Sequence, residues 1–252
     1  MLTENGSNKP FDLTMYSESA AGNYSHRDCT VAFYTRIDAL LDPSMTVLNI
    51  GAGRGANILE DFSPYRRKVQ QFKGRVKKII GIDVDPAVKE NADLHEAHVV
   101  SPQDIYPLAD ASVDIAISDH VLEHVEFPKD FADEIARVLK PGGWFCARTP
   151  VKWGYIGLGA RTFPNSRHVA MLEKLQPGRK AEDVFPVFYR MNTKGDLEKA
   201  FPEDRWLNCT YGYNGAPGYH ANRKFLFRLI EFWCWLMPRS FSAKYHVFMQ
   251  KK

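Results

Sequence analysis

The sequence predicts an α/β fold, a doubly wound and mostly parallel sheet, and three observations predict it. Strand-like runs alternate with helix-period runs from Thr46 to Arg148, the pattern of successive βαβ units. A glycine turn, Gly51, Gly53 and Gly55 in VLNIGAGRG, follows directly on the first β-rich run, Thr46–Ile50. The next run, KKIIGID, ends in an acid, Asp83. Ligands in open α/β sheets bind outside the carboxyl ends of strands, at the switch point, so the turn and the acid mark a binding crevice.

The elements follow in order. Residues 1–28 carry little periodicity and read as an arm with a short helix. From Cys29 to Leu41, Val31, Tyr34, Ile37, Leu40 and Leu41 recur at helical spacing. After Thr46–Ile50 and the glycine turn, a helix is expected from about Ala56, and the basic stretch Tyr65–Lys78 reads as the link to the strand Lys78–Ile82. Ala97–Val100 and Val113–Ser118 are the third and fourth strands. Pro128–Leu139 is a helix with Phe131, Ile135, Val138 and Leu139 inward, closed by KPGG at Lys140–Gly143, and Trp144–Arg148 is the fifth strand. Thr193 reads as a helix cap, with Asp196 near the positive end of the dipole. Trp206–Thr210 and Tyr245–Met249 are expected to be the last two strands, with the aromatic run Phe225–Met237 between them.

Bulk properties narrow the class. A chain of 252 residues, 44% hydrophobic and 25% charged, can bury one large core. No run of about 18 apolar residues is present, so no membrane-spanning helix is expected. The N-terminal MLTENGSNKPFDLTMYSES lacks the apolar core of a secretory signal. Cys29, Cys146, Cys209 and Cys234 lie far apart with no CxxC. They read as reduced thiols of a cytoplasmic protein rather than a disulfide frame. The net charge of +3 is uneven: residues 221–252 hold seven Lys/Arg against the single acid Glu231, +6, so the first 220 residues stand at −3. A local basic end suggests an anionic partner.

Glycines at 51, 53 and 55 allow a tight turn and close approach of a ligand. The spacing is GxGxG rather than the dinucleotide GxGxxG, and Asp83 follows Gly55 by 28 residues. An acid at a strand tip can accept hydrogen bonds from the vicinal hydroxyls of a ribose. With the later segments added, the chain from about Thr46 to Thr149 resembles the class I S-adenosylmethionine-dependent methyltransferases, in their small-molecule, type 11-like branch. VLNIGAGRG resembles the first motif of that family and GIDVDP the second. SPQDIYPLADASVDIAISDHVLEHV resembles its run into strand four, and FADEIARVLKPGGWFCARTP its E-x-x-R-V-L-K-P-G-G helix and strand.

The resemblance implies a seven-stranded Rossmann-like sheet, S-adenosyl-L-methionine as cofactor, and a set of cofactor-binding positions. Asn49, Gly51, Gly53 and Gly55 would form the first motif. Asp83, followed by Val84, would hold the ribose, Asp104 would lie beside the adenine amino group, Ile105 would pack on the ring, and Ser118 would close the fourth strand. Asn49 departs from the family, where an acid usually occupies that strand position. Asn still accepts through its carbonyl oxygen but brings no charge. The resemblance also implies one domain, 1–252, with an N-terminal helical arm (1–45), a donor-binding half (46–150) and an acceptor-side half (151–252) carrying lid insertions at 151–192 and 211–243.

Methyl transfer requires alignment of a nucleophile with an already activated methyl and exclusion of water. A phenol, carboxylate or amine needs little help, whereas a sugar hydroxyl would benefit from a general base. His120, Glu123 and His124 in SDHVLEHV are the candidates, although His124 and Glu123 can equally be structural. His168 and His220 lie in the variable parts and are not chosen. No metal site is visible: HExxH does not occur, and His120 and His124 lack a convincing third ligand. Ser118-Asp-His-Val stands where an Asn/Asp-Pro-Pro-aromatic segment would stack a flipped base, which argues against nucleic acid.

The first insertion offers Trp153, Tyr155, Arg161, Phe163, Arg167, Phe185, Phe188, Tyr189 and Arg190, a mix suited to sugars, aryl rings or anions, or to the small core of a lid. FPVFYRMNT resembles family members that work on polysaccharide or glycolipid. Phe225–Met237, too short to cross a bilayer, reads either as a buried helix or as one that rests on an anionic membrane through 221–252. The expected function is methyl transfer to oxygen of a small-molecule or carbohydrate/glycolipid-like acceptor by a cytoplasmic, membrane-peripheral protein. An NAD-dependent oxidoreductase, disfavoured by GxGxG and KPGG, and a non-catalytic S-adenosylmethionine-binding module are the alternatives.

Overall fold

The computed structural model describes residues 11–162, 186–218 and 220–252. β1 (Thr46–Ile50) lies between β2 (Lys78–Asp83) and β4 (Val113–Asp119) and runs parallel to both. β3 (Glu96–Val99) continues the sheet beyond β2, and β5 (Leu139–Pro150) beyond β4, also in parallel. The chain therefore reverses its winding direction after β3, and the switch point falls between the carboxyl ends of β1 and β4. β8 (Lys244–Lys251) pairs antiparallel with β5, and both β6 (Trp206–Asn208) and β7 (Tyr211–Tyr213) pair antiparallel with β8. The order is β3-β2-β1-β4-β5-β8-β6, with β7 also on β8.

Eight strands among the described residues replace the expected seven. The run Trp206–Thr210 breaks after Asn208, whose side chain turns back to accept from Thr210 N at 2.9 Å. Pairing resumes at Tyr211 in unchanged register, Asn208 opposite Met249 and Tyr211 opposite His246. β6 and β7 are thus one ribbon interrupted once.

The strands are apolar on both faces because helices cover both. On one face Leu48, Ile50, Ala116, Phe145 and Val247 pack with Phe131 and Ile135 of α5 (Pro128–Val138) and Leu197 of α7 (Lys194–Ala200). On the other, Val47, Ile115, Ile117, Cys146 and Phe248 pack with Phe33 and Ile37 of α2 (Cys29–Asp38) and Val69 of α4 (Pro64–Gln70). Local signals set the ends. The Asp28 carboxylate accepts from Thr30 and Val31 N to cap α2, and Thr193 and Asp196 form a reciprocal capping box on α7. A four-residue helix, α1 (Phe11–Thr14), lies within the N-terminal arm.

Three local expectations are corrected. The helix after the glycine turn, α3, spans only Ala56–Leu59, and the supposed link holds α4, capped by Ser63 with Pro64 in its first turn. KPGG does not lie beyond the end of α5 in a loop. β5 begins at Leu139, and pairing jumps from Val113–Leu139 to Ile115–Trp144, so Lys140–Gly143 bulge from the strand with Gly142 at φ 78°. The expected insertion at 211–243 starts later, because Tyr211–Tyr213 belong to the sheet. It contains α8 (Lys224–Leu236). Of the first insertion, residues 151–162, which include α6 (Tyr155–Thr162), and residues 186–192 are described. Phe163, Arg167, His168 and Phe185, and the side chain of Arg161, lie outside the described residues.

Candidate active site

A cavity of about 590 Å³ opens at the carboxyl ends of β1, β2 and β4. Asn49, Gly51, Gly53 and Gly55 line it, with Asp83 at the end of β2 and Asp85 beyond it, Asp119 at the end of β4 and His120 beyond it, and Arg148 of β5. Thr30 and Tyr34 of α2, Asp61, and Arg66 and Gln70 of α4 form the opposite wall.

The glycine turn is built for this place. Gly51 (φ 71°) would bring a Cβ to 2.3 Å from Val121 Cγ2, and Gly55 (φ 81°) to 2.7 Å from Asn91 Oδ1. Asn91 in turn donates to the carbonyls of Ala52 and Gly53 at 3.0 and 3.2 Å, which fixes the turn from below. Gly53 (φ 49°) has open space where its Cβ would stand, so this is where a ligand can approach the backbone. Asp83 accepts from Gly53 N through Oδ2 at 2.8 Å and from Asp85 N through Oδ1 at 2.9 Å. A carboxylate offers about four lone-pair sites. Each Asp83 oxygen therefore keeps capacity to accept a hydroxyl from the cavity.

Asp119 and Arg148 were not singled out by the sequence, and they anchor the far side. Arg148 donates to Asp119 through Nε and Nη2 at 2.8 and 2.6 Å and to Thr30 Oγ1 at 3.0 Å. Tyr34 OH donates to the same carboxylate at 3.1 Å. Burial alone would raise the Asp119 carboxyl, but the Arg148 guanidinium, paired with it through two hydrogen bonds, holds it well below the usual range.

Of the three candidate proton handlers, only His120 reaches the cavity. It sits at φ 60°, an uncommon backbone state for a non-glycine residue. Its Nδ1 lies 3.1 Å from Glu123 Oε1 and its Nε2 3.0 Å from Lys244 Nζ. An ionised Glu only accepts and an ammonium only donates, so these partners assign the proton to Nδ1 and the lone pair to Nε2. Burial, reinforced by Lys244, pushes the imidazole down from its ordinary value and keeps it neutral. Lys244, whose own ammonium is pushed down by burial, completes a Glu123–His120–Lys244 chain that the sequence reading missed.

Glu123 and His124 have other places. Glu123 is buried, accepts from Thr149 Oγ1 at 2.8 Å, and through its backbone carbonyl holds the amides of Phe188 and Tyr189. It orients His120 without lining the cavity. His124 Nδ1 meets the carbonyl of Pro186 at 2.6 Å and pins that segment. His220 stacks on Phe11 with centroids 4.8 Å apart.

Four expected cofactor positions also lie off the cavity lining. Ser118 is buried on the opposite face of β4, because alternation along the strand turns Asp119, not Ser118, toward the cavity. Its hydroxyl finds no partner among the described residues. Asp104 caps its own turn by accepting from Ser101 N at 2.7 Å, and Val84 and Ile105 project into solvent. Asn49 lines the cavity. Its register opposite Ile117 sets it on the same sheet face as Asp119, which supplies a carboxylate one pleat further on.

Residues 48–147 match a family model described as a methyltransferase domain, type 11. Over 153 residues the chain is 30% identical to a probable S-adenosylmethionine-dependent methyltransferase of Mycolicibacterium smegmatis, covering 55% of this chain and 52% of that one. Over 109 residues it is 31% identical to a human thiol S-methyltransferase, covering 39% of this chain and 40% of that one. The chain thus spans about half the length, or less, of these curated relatives. Its fold is similar to a Thermotoga maritima structure described as an S-adenosylmethionine-dependent methyltransferase, possible histamine N-methyltransferase. That likeness has a TM-score of 0.53 and 18% identity over 90% of this chain and 91% of the other, and it speaks for the fold alone. Motifs, family model and sheet order point the same way: residues 48–147 match the methyltransferase-domain model, and this stretch is similar to the class I S-adenosylmethionine-dependent methyltransferases of the type 11 branch.

Proposed function

We propose that the protein transfers a methyl group from S-adenosylmethionine to an oxygen of a small-molecule or carbohydrate/glycolipid-like acceptor. The observation that carries this reading is the meeting, in one cavity, of the open face of Gly53 and a backbone-oriented Asp83. The residues present fit the donor. Asp83 has acceptor capacity left for two ribose hydroxyls. Arg66 and Arg148, set among Asp61 and Asp119, suit a zwitterionic amino-acid end. When bound, the donor supplies an activated sulfonium methyl.

The chain's own residues position and desolvate the partners. His120 Nε2 is engaged by Lys244, so an acceptor hydroxyl would find a free imidazole lone pair only by displacing that ammonium. A carboxylate or phenolate oxygen would instead be attracted to Lys244 and need no base. This favours acceptors that are already anionic. Ser118-Asp119-His120-Val121 at the end of β4, with no Asn/Asp-Pro-Pro-aromatic run, argues against a nucleic-acid amine as acceptor. Peripheral contact with an anionic membrane through 221–252 belongs to the same reading.

The full-length chain incubated with S-adenosylmethionine and separate panels of carboxylate, phenol, sugar-hydroxyl and thiol acceptors should form S-adenosylhomocysteine with an oxygen acceptor. Turnover confined to thiols, the acceptor class named for the human relative, would overturn the oxygen assignment. Donor binding without turnover on any panel would favour the non-catalytic module, the reading that neutral Asn49 supports.

A further inference from the structure

α8 turns an apolar face to solvent. Phe225, Leu229, Phe232 and Leu236 recur at helical spacing on that face, flanked by Trp233 and Trp235, with Phe225 81% and Trp235 77% exposed. Phe227 and Cys234 occupy the opposite, buried side. The helix is firmly seated. Glu231 accepts from Tyr16 OH at 2.5 Å, Arg27 at 3.1 Å and Arg228 at 2.6 Å, and Asn214 donates to the carbonyl of Cys234 at 3.1 Å. The apolar stripe is therefore a built surface rather than a frayed end.

Charge frames it. Arg223 and Lys224 stand exposed at the start of the helix, Arg228 at its edge and Arg239 just beyond its end. The other basic residues of 221–252 do not contribute: Lys244 points to His120, while Lys251 and Lys252 donate to the carbonyls of Ala136, Leu139 and Glu203. The segment after α8 leads into Lys244, which pairs with Pro150 at the carboxyl end of β5, the same end of the sheet as the cavity.

We propose that this face of α8 docks the protein on an anionic lipid bilayer, with the cavity end of the sheet toward the membrane. The helix spans 13 residues, about 20 Å at 1.5 Å per residue, short of the roughly 30 Å hydrocarbon core, so it lies in the plane of the interface. Phenylalanines and leucines enter the acyl boundary, the tryptophans sit at headgroup level, and the basic rim meets lipid phosphates. A second copy fits the face poorly. Symmetric pairing would bring Arg223, Lys224, Arg228 and Arg239 of both copies together, and Glu231, the sole acid of α8, is turned inward and engaged.

Co-sedimentation of the full-length chain with phosphatidylcholine vesicles, with and without phosphatidylglycerol, tests this. The protein should pellet with the anionic vesicles and be released by added salt, and tryptophan emission should shift to the blue on binding. The exposed-face variant Phe225→Ser/Trp235→Ser and the charge variant Arg223→Ala/Lys224→Ala should each weaken binding about tenfold or more. Both should keep the melting temperature and the affinity for S-adenosylhomocysteine, so this result is read independently of methyl transfer. Equal recovery in the supernatant with anionic, neutral and no vesicles would overturn the proposal. So would a stable dimer that the Phe225→Ser/Trp235→Ser variant dissociates, because the face would then belong to a second copy.

Discussion

His246 is buried between the rings of Tyr213 and Phe33, at centroid distances of 4.6 and 5.3 Å, with Nε2 at 3.3 Å from Cys29 Sγ and Nδ1 at 3.1 Å from Tyr211 OH. Burial, then the charges of Arg148 and Lys244, push its imidazole down to about 3. The sign follows from linkage. The unfolded histidine takes a proton below about pH 6.5 and the folded one does not, so stability present above that value is lost as pH falls. The loss should reach about 2–3 kcal/mol by about pH 4.5. His120, also lowered, adds in the same direction, whereas Asp119 and Glu123 act only at lower pH. Denaturant midpoints across this window should fall for the native chain and fall less for His246→Gln; a flat native profile would contradict the assignment. Nothing in the run YHVFM distinguishes this histidine from an exposed one, because its environment comes from α2 and β7, distant in the chain. Asn49 was legible as an anomaly, but the carboxylate on its sheet face was not: that Asp119 shares this face depends on strand register. Asn49→Asp should leave the fold intact and change S-adenosylhomocysteine affinity by no more than about 1 kcal/mol, in the tighter direction. Abolished binding in calorimetry would show that the neutral amide is required.

At the scale of elements, the turn between β1 and α3 makes different demands at each glycine. Gly51→Ala places a methyl against Val121 at a positive φ and should cost about 1–3 kcal/mol, seen as a lowered melting temperature. Gly53→Ala meets no neighbour and carries only the cost of its positive φ, about 1 kcal/mol, so it should lower the melting temperature less than Gly51→Ala while weakening S-adenosylhomocysteine binding, measured by titration. Equal melting temperatures for Gly51→Ala and the native chain would refute the steric account. The turn, Asp83 and the alternation of strands were legible because each is a local pattern. α4 was hidden because its basic residues masked a short helix, although Ser63-Pro64 carried the cap signal. Arg148 also left a trace, as an arginine within the otherwise apolar WFCARTP strand, but only the sheet shows that it reaches Asp119.

At the scale of the whole molecule, one end of the sheet gathers the glycine turn, Asp83, the Glu123–His120–Lys244 chain and the residues leading from α8. The opposite end carries the KPGG bulge and the two terminal lysines. The polarity follows from topology, since parallel strands bring all their carboxyl ends to one side. In the proposed function, this end binds the methyl donor. Calorimetric titration of the full-length chain with S-adenosylhomocysteine and, separately, with NAD tests it most directly. S-adenosylhomocysteine should bind with a Kd of about micromolar or tighter, weakened about tenfold or more by Asp83→Ala, which loses hydrogen bonds to a charged acceptor, and NAD should give no binding heat. Tight NAD binding without a response to S-adenosylhomocysteine would contradict it.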